Sequence, residues 1–144
     1  MSPKSAANFM RFMAIMSFLS ALLFATGAMN DPTGSLSQFL AIIIPGSEGA
    51  SAIANPESKV GFAIAGGVFA GFMVMLLLIV APAIERGDKT ITRATVYALL
   101  IWYVIDSGAS VAGGAPINAL SNAIFLVLYL LPLLWVKESA TASV

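Results

Sequence analysis

The chain has 144 residues, of which 59% are hydrophobic and only 10% are charged, a composition too apolar for a soluble domain of this size. Seven basic and seven acidic residues cancel, so no net charge points to nucleic acid as a partner. Cysteine and histidine are both absent, which removes disulfides and the usual ligands of haem, zinc and copper. We therefore expect an integral membrane protein with no cofactor and no metal site.

The first long apolar run covers residues 9–28 and follows a helix start at Ser2 and Pro3, where a capping serine precedes proline. Its basic flank, Lys4 and Arg11, gives it some likeness to a signal peptide. The run is about 20 residues long, however, which is enough to cross a bilayer and longer than a usual signal core. We therefore predict an uncleaved first span.

A second apolar pattern lies in the connection that follows, at residues 36–44. Its apolar side chains recur at the spacing of one helical face: Leu36, Phe39, Leu40, Ile43 and Ile44. Ser35 and Gln38 have the spacing of a capping box, and Pro45 stops the run. The helix is too short to span, so we predict that it lies along the outer membrane surface or packs over the ends of the spans. A re-entrant segment is the alternative.

The second predicted span covers residues 57–84. Asn55 and Pro56 supply the cap and the first helical position, and Pro82 with the charged residues 85–89 ends the helix. Three small residues fall four apart along it: Ala63, Gly67 and Gly71. Such a stripe allows two helix backbones to approach closely in lipid. It predicts helix packing, either within the chain or between copies.

The third and fourth predicted spans, residues 92–111 and 116–136, are separated by a tight turn containing Gly113 and Gly114. The chain is then a single transmembrane domain, residues 1–144, with four spans. Nearly all basic residues fall on one side of it, with only Lys59 on the other: Lys4, Arg11, Arg86, Lys89, Arg93 and Lys137. The positive-inside rule then predicts that both termini are cytoplasmic.

One acid, Asp106, interrupts the third span, and small polar residues surround the same turn: Ser107, Ser110, Asn118, Ser121 and Asn122. If the two helices are antiparallel about Gly114, residues equidistant from it lie at one depth. This places Asp106 level with Asn122, Ser107 with Ser121, and Ser110 with Asn118. An acid at such a depth costs about 2.5–3.5 kcal/mol on insertion scales. No base shares its depth, so we expect a neutral or tightly hydrogen-bonded carboxyl group.

Two interpretations of these polar residues stay open. In the first, Asp106 forms hydrogen bonds that hold the third and fourth helices together. In the second, it is a proton-linked or ligand-binding carboxyl group that faces a small outer cavity. No phosphate-binding loop, dinucleotide fingerprint, metalloprotease motif or nucleophile elbow occurs in the sequence. We therefore predict no catalytic residue.

The C-terminal third also resembles a known group of proteins. The run from Trp102 to Ser107, the segment from Gly114 to Asn118, and Asn122 with the apolar end at 125–132 resemble a group of small, uncharacterised four-span bacterial membrane proteins. The resemblance implies four spans in a bacterial inner membrane, and it implies no activity.

These observations together predict a non-enzymatic membrane component, either an accessory or structural subunit of a larger membrane complex or a homo-oligomer. Its expected partners are the bilayer and other membrane subunits or copies of itself. The alternative, from another class, is a small transporter or solute-binding protein that uses the Asp106 carboxylate.

Overall fold

A computed structural model describes residues 1–46 and 49–135, with the side chains of Ala28, Ala50 and Ala52 left out. The described residues form five helices and no strand. We number the helices in chain order: α1 (Pro3–Thr26), α2 (Ser35–Ile43), α3 (Pro56–Arg86), α4 (Lys89–Ala112) and α5 (Pro116–Leu134). A single helical turn, Gly49–Ala52, precedes α3. The predicted class is confirmed: the protein is all-helical, with a short helix between the first two of four helices that are long and apolar enough to span a membrane.

Helices α1 and α4 begin several residues before their apolar runs, because polar caps extend them. The Ser2 hydroxyl accepts from the Ser5 amide at 3.2 Å, so α1 begins at Pro3. The Asp88 carboxylate accepts from the amides of Thr90 and Ile91, each at 3.0 Å, so α4 begins at Lys89 rather than at residue 92. The predicted end of the fourth span at residue 136, and the basic residue 137, lie outside the described residues.

Helix α3 runs through Pro82, which was predicted to help end it, and stops at Arg86. Residues Leu76–Val80 form a π-helical turn just before the proline. Proline lacks an N–H, and its ring clashes with the carbonyl four residues earlier in α geometry, so a wider turn relieves the strain. Gly87, with φ of 71°, then provides the left-handed residue that terminates the helix.

The core forms where α1 packs along α3 and both meet α5. Its largest fully buried side chains include Met10 of α1, Met73 and Leu76 of α3, and Leu99 of α4. Helices α4 and α5 pack along each other as a second hairpin, and α1 touches α5. Each long helix therefore buries one face and leaves the other for lipid.

Basic side chains gather at one end of this bundle. Arg11, near the start of α1, donates to Glu85, near the end of α3, at 2.6 Å. This contact brings the start of α1 beside the end of α3 and the start of α4. Lys59 lies at the beginning of α3, which is the opposite end. The charge asymmetry read from the sequence is thus also an asymmetry of the folded molecule.

The capping box predicted for Ser35 and Gln38 is wrong. Gly34, with φ of 70°, occupies the cap position of α2 and has no side chain to offer. The Asp31 carboxylate folds over the helix start instead and accepts from the amides of Leu36 at 3.2 Å and Ser37 at 2.8 Å. It also accepts from the Ser37 hydroxyl at 2.8 Å. An acid near the positive end of the helix replaces the expected serine.

Helix α2 packs over the ends of the spans. Leu36, Leu40 and Ile43 of its predicted apolar face are buried, and Phe39 and Ile44 are partly buried. They pack against Leu23, Phe24 and Phe62 of α1 and α3. The Gly27 position makes this approach close, since a Cβ there would lie 2.7 Å from a Leu36 methyl group.

Candidate functional site

The candidate site lies on either side of the turn that joins α4 to α5. Gly114 adopts a φ of 83°, which favours glycine, and its amide donates to the Val111 carbonyl at 3.1 Å. The Ala115 amide donates back to the Ser110 carbonyl at 2.8 Å. These bonds satisfy the last carbonyls of α4 and direct α5 back along it, as the sequence predicted.

Asp106 is bound by three neutral donors. The Trp102 indole N–H donates to Oδ2 at 3.2 Å, and the Ser110 hydroxyl donates to Oδ1 at 3.2 Å. From α5, the Asn118 amide donates to Oδ1 at 3.3 Å and to the Ser110 hydroxyl at 2.8 Å. No described base contacts the carboxyl group. It is therefore held by hydrogen bonds and not by an ion pair.

Residues that were predicted to share a depth are not all hydrogen-bonded to each other. Ser110 does pair with Asn118. Asn122, however, donates to Ser107 at 3.4 Å instead of to Asp106. Ser121 turns back to its own helix and donates to the Ile117 carbonyl at 3.1 Å. Distance from the turn fixes only the depth of a residue, whereas its position around the helix decides which partner it meets.

The polar residues therefore form two groups that differ in burial. Ser107 and Asn122 are each only 7% exposed and face the interior. Asp106, Ser110 and Asn118 are only partly buried, at one edge of the α4–α5 pair. We call this second set, together with Trp102, the edge cluster.

Two features of this region were missed from the sequence. Trp102 lies four residues before Asp106 on one helix face, a spacing that brings side chains together and could have been recognised. The other is a buried contact among three helices, where the Tyr129 hydroxyl donates to Ser17 at 2.5 Å and lies 3.2 Å from the Met73 sulfur. These residues are distant in the sequence, so no local spacing signals them.

The small-residue stripe of α3 does not pack within the described part of the chain. Ala63, Gly67 and Gly71 are exposed, and a Cβ added at either glycine would meet nothing within 4 Å. Gly66 faces α1 instead, where a Cβ would lie 2.7 Å from the Ala25 nitrogen and 2.9 Å from the Ala21 oxygen. Of the two predicted alternatives, packing inside the chain does not occur among the described residues, and packing between copies stays a prediction. The close helix contact uses the neighbouring residue.

The chemistry available at the edge cluster is hydrogen bonding around one carboxyl group. Within residues 1–46 and 49–135, no group of three or more acidic side chains is close enough to hold a metal ion. Every buried side-chain nitrogen or oxygen in these ranges has a hydrogen-bond partner. The arrangement is compatible with two roles. Asp106 can hold α4 and α5 together by hydrogen bonds, or it can bind a ligand or a proton at a partly exposed edge of the helix pair.

No family model, curated protein or solved structure matches this chain.

Proposed function

We propose that this protein is a non-enzymatic integral membrane component that works by assembling with other membrane subunits or with copies of itself. The single observation that carries the proposal is the exposed stripe of Ala63, Gly67 and Gly71 on α3. In keeping with the sequence resemblance, we place the protein in a bacterial inner membrane.

The stripe supports assembly because glycine destabilises a helix, and no contact among the described residues compensates for this at Gly67 and Gly71. Glycine inside a helix is destabilising by roughly 0.5–1 kcal/mol relative to alanine. Gly66 offsets that cost through its contact with α1, whereas Gly67 and Gly71 contact nothing. In lipid, small residues stabilise helix pairs because they allow the backbone of another helix to pack closely against them. The partner helix then comes from outside the chain.

The edge cluster supports the same class. Each oxygen of the Asp106 carboxyl group already accepts at least one hydrogen bond from within the chain. Such a group stabilises the α4–α5 hairpin on which a membrane subunit depends.

Assembly is tested by native mass spectrometry of the full chain extracted in a mild detergent. We expect a mass above that of one chain, from additional copies or from a stoichiometric partner. Gly67→Leu should dissociate this complex, because the larger side chain keeps the second backbone away. Gly108→Leu is the matched control, since Gly108 is also exposed, in α4, with nothing within 4 Å. A wild-type chain found only as a monomer would contradict the proposal.

The second candidate function is transport or binding of a small solute through Asp106. The observation in its favour is that the edge cluster is only partly buried, whereas Ser107 and Asn122 are buried. A proton-linked carrier requires an ionisable side chain at this position, so Asp106→Asn should fold normally and abolish proton-coupled uptake of the solute into vesicles. Uptake that persists in this variant would exclude the role.

A further inference from the structure

A basic groove lies on the outer face of α4, near the end of the bundle where positive charge collects. It is shallow, with a volume of about 300 Å³, and is lined by Lys89, Thr90, Arg93, Ala94 and Tyr97. These residues follow one another at helical spacing, so they form one continuous strip. The opposite side of the same turns, at Thr95 and Leu99, is buried against the protein.

Arg93 is the basic side chain of this groove that no described acid contacts. The Asp88 carboxylate accepts from the amides of Thr90 and Ile91, and Glu85 is paired with Arg11. Within the described residues, the Arg93 guanidinium has no hydrogen bond or ion pair, and its side chain is exposed. The groove therefore attracts a negatively charged group.

The surface beyond the two cations changes from polar to apolar. Tyr97 is 60% exposed, and Ile101, one turn further along α4, is also 60% exposed. Val104 and Ile105 continue the apolar surface deeper along the helix. A tyrosine between a charged end and an apolar face is typical of the membrane interface.

We propose that this groove is a binding site for the headgroup of an anionic phospholipid. The phosphodiester accepts hydrogen bonds from the Arg93 guanidinium, beside Lys89, and the Tyr97 hydroxyl lies at the level of the glycerol region. An acyl chain then follows the exposed face at Ile101. A free phosphate would use the cations but not the apolar strip, so the shape and polarity of the surface favour a lipid.

The test uses the full-length protein in a mild detergent, with lipid binding followed by native mass spectrometry. Phosphatidylglycerol and phosphatidylcholine with identical acyl chains are added in parallel. We expect phosphatidylglycerol to bind in preference. A cation near an anionic lipid surface contributes roughly fivefold to binding, so the loss of Arg93 in the double variant Lys89→Gln/Arg93→Gln should weaken phosphatidylglycerol binding at least about fivefold.

The matched control is Lys4→Gln/Arg86→Gln, which removes the same charge from the same end of the bundle but outside the groove. We expect this variant to keep most of its preference for phosphatidylglycerol. Circular dichroism and gel filtration verify that both double variants are folded, and the single variant Arg93→Gln replaces the first pair if that pair does not fold.

Three results would overturn the proposal. Equal losses in the two double variants would mean a diffuse charge effect without a site. Equal binding of the two lipids would mean that the cations recognise no anionic headgroup. Competition by inorganic phosphate at concentrations comparable to those of the lipid would mean that the groove is a site for the free ion.

Discussion

Asp106 and Asn118 lie on opposite sides of the Gly114 turn and share a hydrogen bond of 3.3 Å between the amide nitrogen and the carboxyl oxygen. The same amide donates to Ser110 at 2.8 Å, and the Ser110 hydroxyl donates to Asp106. The three side chains thus close a small ring across two helices. Its members are partly exposed, so the ring joins the two helices at the edge of the bundle and not in its core.

The first prediction concerns this ring. Asp106→Leu removes the acceptor for Trp102 and Asn118 and should lower the free energy of unfolding by about 0.6–2 kcal/mol, the range for one such interhelical bond. Asp106→Asn keeps a carbonyl acceptor and should preserve most of the stability. Unfolding in a detergent titration measures both. Ser121→Ala is the control, because its hydroxyl bonds only to its own helix. Wild-type stability in Asp106→Leu would refute the structural role.

The second prediction concerns two adjacent glycines of α3. Gly66→Ala places a methyl group within 3 Å of the backbone of α1 at two atoms, and backbone cannot move aside as a flexible side chain can. Overpacking of this kind costs about 1–3 kcal/mol. Gly67→Ala enters open space and should leave the monomer as stable as the wild type or slightly more so. Thermal unfolding of the two variants under one detergent condition checks the difference. Equal stabilities would contradict the packing of α1 on α3.

The number and order of the long helices could be predicted from the sequence, because the patterns that indicate them are local. Apolar runs of spanning length and the Gly114 turn predicted the helices that form. The errors arose where position around a helix, or contact across the chain, decides the outcome. Asn122 was placed at the right depth but faces Ser107, and Gly67 was chosen where Gly66 makes the contact. The cap of α2 was missed because Asp31 reaches it from outside the helix.

A third prediction follows from that cap. Desolvation alone would raise the pKa of Asp31, but the hydrogen bonds from Ser37 and Leu36 together outweigh it and hold the pKa below its usual value of 3.8. Because the pKa of Asp31 is lowered in the folded protein, the cap contributes its full stabilisation when the pH is above the usual pKa of 3.8. This stabilisation is lost as the pH falls through the lowered pKa.

We therefore expect α2 to be stable at neutral pH and to loosen only in acid, below about pH 4. Hydrogen exchange at the amides of Leu36 and Ser37 reports this change directly. Asp31→Ala should exchange fast at these amides at every pH, since it has no carboxyl group to accept from them. Unchanged protection in that variant would mean that the packing of α2 on the span ends holds it without the cap.

The fourth prediction is topological. The gathering of Lys4, Arg11, Arg86, Lys89 and Arg93 at one end favours a cytoplasmic location for that end. The chain has no native cysteine, so single cysteines report position cleanly. Glu57→Cys should react with an impermeant thiol reagent in intact cells, and Ser5→Cys should react only after the membrane is opened. The reverse pattern would invert the proposed orientation.

The assembly face of α3 is tested most directly by photo-crosslinking in intact membranes, without detergent. A photoreactive amino acid at Gly67 should give one protein adduct of defined mass, either a second copy or a fixed partner, and Gly71→Leu in the same chain should abolish it. The same residue placed at Gly108 should give no such adduct. Adducts with lipid alone at Gly67 would show that this face meets only the bilayer, and the proposed role as an assembling membrane component would be wrong.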